Sequence, residues 1–315
     1  MKQIIISSAQ GGLSNRLKCL INSFNLSEKL GWKVVLYWPK DEACNCEFEE
    51  LFDKKIKKIS KEDLRKILKD KNYEYYDDSS KKIKGGKKFI ILNLIKTGNF
   101  KKGYLNLLNV NLPSKKFNPK LRKIITNTFL DLKPKKEIIS KANNFFNKKL
   151  DKDSIGLHIR KGDFVNLKSE ICLISPSKEF EKIISKELII NPKIKIFLST
   201  DSFKEEINLK KIFGKKIIIC PKKTKNRGEE GAVKEALIDL MILSKTDKIY
   251  GTYGSTFNEL ASWINPAVVR EVLFDKKELS KYLQQNKSQK KIMPLIKKII
   301  YEFITPFHKR FLDIK

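Results

Sequence analysis

Histidine is nearly absent from this sequence, with two in 315 residues, and arginine is scarce. Of 67 basic residues only seven are arginines, at positions 16, 65, 122, 160, 227, 270 and 310. Zinc needs about four ligands, commonly Cys and His. Cys44 and Cys46 form a C-x-C pair, but with so little histidine they read as structural thiols in a loop. The five cysteines are odd in number and irregularly spaced, which argues against a disulfide framework and fits a reducing compartment. No apolar run approaches the ~20 residues that a membrane span requires. The chain opens on a strand-like run, Gln3 to Ile6, without the pattern of a signal peptide, so the expected location is the cytoplasm. G-x-G-x-x-G is missing too, which removes the usual dinucleotide fingerprint.

Where lysine is the default cation, a retained arginine marks a site at which a planar, bidentate fork matters, as it does on phosphate. Arg16, Arg160 and Arg227 each stand beside a glycine-bearing loop. The net charge of +31 would ordinarily point to nucleic acid or an anionic membrane. Here the lysines are scattered along the whole chain, and the excess of Lys, Ile and Asn has the look of a general compositional bias. No basic stripe interleaved with aromatics occurs before the last segment, so nucleic acid is not the expected partner. Hydrophobic content of 41% and aromatic content of 10% suit a folded protein with a real core, and the length suits two domains.

The most informative stretch is Ser154 to Phe164, Ser-Ile-Gly-Leu-His-Ile-Arg-Lys-Gly-Asp-Phe. Ile155, Leu157 and Ile159 alternate with Gly156, His158 and Arg160, which predicts a strand burying the first set and presenting the second. Gly162 and Asp163 end it in a tight loop. Ligands of open α/β sheets bind beyond the carboxyl ends of the strands, so a guanidinium, an imidazole and a carboxylate gathered there predict an anion site. Asp163 is the candidate general base.

Upstream, Gln3 to Ser8 reads as a strand and is followed by Gln10-Gly-Gly-Leu-Ser-Asn-Arg-Leu17. Leu17, Leu20, Ile21 and Phe24 then recur at helical spacing, and a strand over Lys33 to Trp38 completes a βαβ unit. Gly11 and Gly12 let backbone approach a ligand at the helix start, where free N–H groups gather. Asn15 and Arg16 are expected to reach across a cleft. Between Glu47 and Leu132 the pattern is coarser: helical turns at Phe48 to Phe52 and Glu62 to Leu68, a strand at Lys88 to Leu94, and loops at Gly85-Gly86 and Gly103. Tyr73 to Ser80 reads as a polar surface loop. Asp151-Lys-Asp153 has the D-x-D form of a metal site but precedes a strand, at the wrong end of the sheet.

Further on, a strand over Ile194 to Leu198 runs into Ser199-Thr-Asp-Ser202, with Thr200 and Asp201 at its carboxyl end. Asp201 could bind a base or ribose there, or lie at the mouth of a helix capped by Ser202 and Glu205. A strand over Ile217 to Cys220 precedes Arg227-Gly-Glu-Glu-Gly231 and a helix with Val233, Ala236, Leu237, Leu240 and Leu243 on one face. Lys248 to Tyr250 returns as a strand, followed by Gly251-Thr-Tyr-Gly-Ser-Thr256 and a helix over Phe257 to Trp263. Ser255 and Thr256 make a candidate phosphate cradle at that helix start. The end of the chain is basic, with an apolar face from Ile292 to Ile304. It reads either as a helix lying on an anionic membrane or as one packing on the first domain, the latter being preferred.

Three stretches together resemble the GDP-fucose fucosyltransferase superfamily of the GT-B type, which includes the nodulation and α1,6-fucosyltransferases and the protein O-fucosyltransferases. They are Gly11-Gly-Leu-Ser-Asn-Arg16, His158-Ile-Arg-Lys-Gly-Asp163, and Ser199-Thr-Asp201 joined to Tyr250-Gly-Thr-Tyr-Gly-Ser-Thr256. The resemblance implies an α/β chain of two Rossmann-like domains facing a central cleft. The domain expectation is 1–140 on the acceptor side, 141–275 for the nucleotide sugar, and 276–315 as a basic amphipathic tail. It also implies inverting transfer of fucose from GDP-fucose to a glycan or lipid-linked glycan, with no metal required. Arg160 would match the arginine on the donor β-phosphate and His158 the histidine beside it. Thr200 and Asp201 would match the nucleotide-contact segment, Ser255 and Thr256 a second phosphate loop, and Asn15 an asparagine of the first-domain loop. Ser202 stands where some members have a second Asp, and Phe164 where the α1,6 enzymes have Lys, which leaves the acceptor class open. The alternatives are a GT-B transferase using another nucleotide sugar, or a basic nucleic-acid-binding protein with a degenerate nucleotide fold.

Overall fold

The computed structural model describes residues 3–9, 11–69, 74–77, 87–88, 103–107, 119–161, 174–265 and 267–287. Two parallel sheets are formed by strands that are followed, in most cases, by helices. The first contains β1 (Ile4–Ser7), β2 (Lys33–Leu36), β3 (Lys57–Lys58), β4 (Glu74–Asp77), β5 (Lys87–Lys88) and β6 (Gly103–Leu107), in the order β3-β2-β1-β6-β4-β5. The second contains β7 (Ile155–Ile159), β8 (Ile196–Thr200), β9 (Ile217–Ile218), β10 (Lys248–Thr252) and β11 (Val269–Leu273), in the order β11-β10-β7-β8-β9. The second sheet grows outward from β7 to β9 and then resumes at β10 on the other side of β7. This reversal between β7 and β10 is where an open α/β sheet leaves a crevice.

Helix α1 (Leu13–Leu30) follows β1 directly and stops at Gly31, whose φ of 70° supplies the left-handed C-cap. It is buried almost along its length. Its leucines join α3 (Pro119–Asp131), α4 (Lys136–Lys149), α7 (Ala232–Leu243) and α8 (Thr256–Ile264) in one apolar cluster that runs through both halves of the molecule. On the other face of the second sheet α5 (Ser177–Ile190) and α6 (Phe203–Phe213) cover β7, β8 and β9 through Phe180, Ile184 and Leu209. A short helix α2 (Lys61–Lys69) packs Leu64 and Ile67 near Ile6 and Val35 of the first sheet. The last described helix, α9 (Lys276–Lys287), buries Leu279 beside Ile174 and Tyr253 of the second half.

Several expectations are corrected. Tyr73 to Ser80 is not a loop throughout, because Glu74–Asp77 forms β4 in register with β6 and β5. Gly103 opens β6 rather than a loop. Both elements draw their backbone partners from distant strands, which local polarity does not reveal. All five residues of β7 are buried, yet its faces divide as expected: Ile155, Leu157 and Ile159 pack in the cluster under α5 and α6, while His158 turns to the other side. Gly156 is where Leu243 and Thr246 come against the strand, and a methyl there would meet the Leu243 Cδ2 at 2.7 Å. Asp151 binds the Ser154 hydroxyl and Lys195 at the amino end of β7, away from the crevice. The expected strand over Lys88 to Leu94 is described only at Lys87–Lys88, and the expected loop at Gly85-Gly86 and the apolar face from Ile292 to Ile304 lie outside the described residues.

Two cations lie inside this core. Arg16 and Lys18 are each 1% exposed. Lys18 pairs with Glu259 of α8 at 2.5 Å and places its ammonium 4.5 Å from the centre of the Trp263 ring. Removing one member of a buried ion pair strands the other charge, at a cost of about 3–5 kcal/mol. Lys18→Ala is therefore expected to lower unfolding stability in urea by that order. Lys18→Met combined with Glu259→Gln should recover most of the loss; equal stability of Lys18→Ala and the parent would show that the pair does not hold α1 to α8.

Candidate functional site

A cavity of about 430 Å³ lies between the carboxyl ends of the two sheets. Its first wall is the turn after β1. Gly11 has a φ of 90°, a conformation natural to glycine, and Gly12 is the N-cap of α1 with no side chain to cap it. A methyl on Gly12 would stand 2.7 Å from the Arg227 Nη1, so the glycine is what lets that guanidinium come against the helix start. Asn15 reaches across the cleft as expected, its Oδ1 accepting from the Thr256 hydroxyl at 2.8 Å. Arg16 does not. It turns back to bind the carbonyls of Gly11 and Pro39 and the Asp41 carboxylate, and lies 5.3 Å from the Trp38 ring centre, bracing the turn from behind.

The opposite wall is built on β7, β8 and β10. Thr252 joins the first and last of these, accepting from the Arg160 backbone N–H at 2.9 Å and donating to the His158 carbonyl at 3.2 Å. Asp201, past the end of β8, accepts from the Lys161 N–H at 2.8 Å and pairs with the Arg160 Nη1 at 2.9 Å. Both side chains of that ion pair are mostly buried. The expectation that Asp201 faces a base or ribose is thus modified: its two oxygens are spent on fixing the end of β7 and the guanidinium. Half of the expected capping box is present, with Ser202 accepting from the Glu205 N–H while the Glu205 carboxylate takes the Ser177 hydroxyl.

His158 is buried in a stack with Phe257, ring centres 4.8 Å apart. Its Nδ1 lies 3.5 Å from the Asn258 Nδ2, which also donates to the Thr252 carbonyl at 3.0 Å. An amide donor at Nδ1 assigns the imidazole proton to Nε2. Asn258 fits there because its strand neighbour is Gly251, where a methyl would fall 2.2 Å from the Asn258 Nδ2. Burial depresses the His158 pKa to about 3, with Arg160 and Lys222 pushing the same way and Asp201 opposing. The ring is neutral at ordinary pH. Ser255 caps α8 by accepting from the Phe257 N–H, and Thr256 is engaged by Asn15, so the starts of α1 and α8 face one cavity.

Gly11, Gly12, Asn15, His158, Arg160, Thr200, Asp201, Ser255 and Thr256 all line this cavity. Asp163 lies outside the described residues. Sequence reasoning missed Ser14, Lys222, Lys225 and Asp239. Asp239 is 1% exposed; its Oδ2 binds the Ser199 hydroxyl at 2.7 Å and the Lys222 ammonium at 2.5 Å, while its Oδ1 has no partner. The available signal was an acid lying between Ala236 and Leu243 on an otherwise apolar helix face. The C-x-C pair is part of the core, with burial raising the Cys44 thiol to about 11 and the Cys46 thiol to about 12. No group of three or more His, Cys, Asp or Glu side chains suited to a metal occurs among the described residues.

No family model and no curated protein matches the sequence. Solved structures do match the fold. NodZ α-1,6-fucosyltransferase soaked with GDP-fucose superposes with a TM-score of 0.57 at 16% identity, covering 88% of this chain and 97% of that one. POFUT1 in its apo form gives 0.53 at 12% identity, over 86% of this chain and 97% of that one. A mutant of Arabidopsis thaliana FUT1 in complex with GDP gives 0.57 at 13% identity, over 86% and 70%. The chain therefore has the two-sheet GT-B fold of these fucosyltransferase structures.

The His158 environment has a measurable consequence. With a folded pKa of about 3 against an ordinary 6.5, the unfolded chain takes up the proton first as pH falls. Stability is complete above pH 6.5 and declines between 6.5 and 3, by up to about 1.4 kcal/mol per pH unit for one proton. His158→Gln should flatten the urea-unfolding profile between pH 6 and 5, a window above the ordinary range of carboxylates. A variant that keeps the parent's slope would place the titrating group elsewhere.

Proposed function

We propose that this chain is a glycosyltransferase that moves a sugar, fucose in the first instance, from a guanosine diphosphate donor to a glycan or lipid-linked glycan. The observation that carries the reading is the Arg160–Asp201 pair at the sheet's switch point, between the starts of α1 and α8. As the sugar–phosphate bond breaks, charge collects on the departing diphosphate while the sugar becomes oxocarbenium-like. A guanidinium already oriented by a carboxylate, together with two helix starts, stabilises that charge without reorganising. Lys222 and Lys225, on the same wall, bring two further ammonium groups near the leaving group, each already paired with a carboxylate, Asp239 or Glu206. Asp163, following Arg160 in sequence, is the proposed base that takes the acceptor hydroxyl's proton as its oxygen attacks the anomeric carbon from the opposite face, inverting it.

Asp239 supports guanine as the base. Asp239 is among the residues that line the cavity, and its buried Oδ1, a pure acceptor, has no partner. Guanine presents adjacent N–H donors on one edge, whereas uracil presents a single N–H between two carbonyls, so the buried acceptor favours the purine. His158, neutral and held by Asn258, offers its Nε2–H beside Arg160. The four described cysteines are buried free thiols, which fits a reducing, cytoplasmic setting. No helix among the described residues is long and apolar enough to cross a membrane.

Calorimetric titration with GDP, GDP-fucose, GDP-mannose and a UDP-sugar, with EDTA present, tests the donor. The expected result is selective binding of guanine nucleotides, tightest with fucose attached; a folded protein that ignores all of them would remove the proposal. Arg160→Lys keeps the charge but not the fork, and transfer is expected to fall ~100- to 1000-fold while the fold is retained. Asp239→Asn can keep one oxygen on Ser199 and Lys222 but turns an amide donor toward the base. Its preference for GDP over UDP should fall about tenfold or more, and an unchanged preference would take Asp239 out of base recognition.

A further inference from the structure

Most of the large apolar side chains that the described residues leave exposed fall on two neighbouring helices. Ile189 and Ile190 end α5, at 81% and 69% exposure, and Phe203, Ile207 and Ile212 lie along α6. The helices are adjacent on the face of the second sheet turned away from the first half. They share one apolar cluster beneath, the Ser177 hydroxyl at the start of α5 binds Glu205 near the start of α6, and Lys216 below α6 binds the Pro192 carbonyl below α5. The remaining exposed positions of the pair are dominated by lysine: Lys178, Lys182 and Lys186 on α5, and Lys204, Lys210 and Lys211 on α6. None of the acidic residues of α5 or α6 is among the exposed positions. Glu187 is drawn in by Lys248, Glu206 by Lys225 and Lys210, and Glu179 by Lys182. The face thus shows aliphatic side chains together with ammonium groups in excess of carboxylates, Glu181 being a half-buried acid among Lys178, Lys182 and Lys186.

We propose that the α5–α6 face is a docking surface for an anionic lipid bilayer. Isoleucines flanked by lysines are the composition of an interfacial contact: the aliphatic groups enter the headgroup boundary while the ammoniums sit on lipid phosphates. The segment 288–315 is itself basic, so charge complementarity favours lipid over that segment as the occupant. Phe203, at the upper edge of the face, lies 4.8 Å below the Lys225 ammonium, and Lys225 lines the cavity, so docking here brings the cavity to the membrane surface. This assignment is independent of which donor the cavity takes.

Flotation of the full-length chain with vesicles tests it, comparing phosphatidylcholine alone with phosphatidylcholine containing about 30% phosphatidylserine. The wild type should float with the anionic vesicles only and be released by salt. The triple variant Ile189→Ser, Ile190→Ser, Ile207→Ser and, separately, Lys182→Gln, Lys186→Gln, Lys211→Gln should each lower the partition coefficient about tenfold or more. Both sets are exposed, and an unchanged thermal midpoint verifies the fold. Failure of the wild type to bind anionic vesicles overturns the proposal, as does undiminished binding by both variants, which would move the contact to 288–315 or another surface. Dimeric wild type and monomeric triple variant, with equal vesicle binding, would instead make the face an interface between copies.

Discussion

Two cations buried on one helix constrain the whole molecule. A guanidinium and an ammonium inside an apolar core are tolerable only if each finds its counter-charge and hydrogen-bond acceptors at a fixed distance. Arg16 and Lys18 find theirs in opposite directions. Arg16 reaches back into the first half and holds the turn after β1; Lys18 reaches forward and holds α8 of the second half. Because both ends of this arrangement lie in the core, the glycine turn and the start of α8 cannot drift apart. The cavity is the space left between them, and its width follows from the lengths of two side chains.

The electrostatics of that space are balanced rather than simply positive. Arg160, Lys222 and Lys225 line it, yet Asp201 and Asp239 are set directly against two of those cations. The carboxylates lower the cost of holding bare cations in a poorly hydrated cleft before any ligand arrives. They also fix direction. Asp201 takes one edge of the Arg160 guanidinium, and the Lys161 N–H holds the same carboxylate from the other side. Orientation of this kind is what separates an arginine from a lysine at such a position.

Much of this was legible in the sequence, and the division is physical. Strands β1, β7, β8 and β10 announced themselves because they are apolar runs followed at once by glycine or hydroxyl residues, and the rule about carboxyl ends then placed Asn15, His158, Arg160, Asp201 and Thr256 around one crevice. Strands β4 and β6 did not, because polar and short segments become strands only through partners far away in the chain. Arg16 was misassigned for a related reason: its sequence context is a ligand loop, but whether a long side chain faces ligand or core depends on Trp38, Pro39 and Asp41, which local spacing does not position. Asp239 was overlooked as an acid in an apolar stripe, where its meaning depends on Ser199 arriving from β8 and Lys222 from the loop after β9.

The pairing of Lys18 with Glu259 spans 241 positions of the chain, as does that of Asn15 with Thr256. A ribosome adding about 5–20 residues per second needs some tens of seconds to travel that far. Throughout that interval the emerging α1 carries a lysine with no counter-ion on a surface made for burial, and the helix that completes it has not yet been translated. The amino-terminal half is therefore expected to remain a client of nascent-chain chaperones until the end of synthesis, and the two halves to mature together as one unit of quality control.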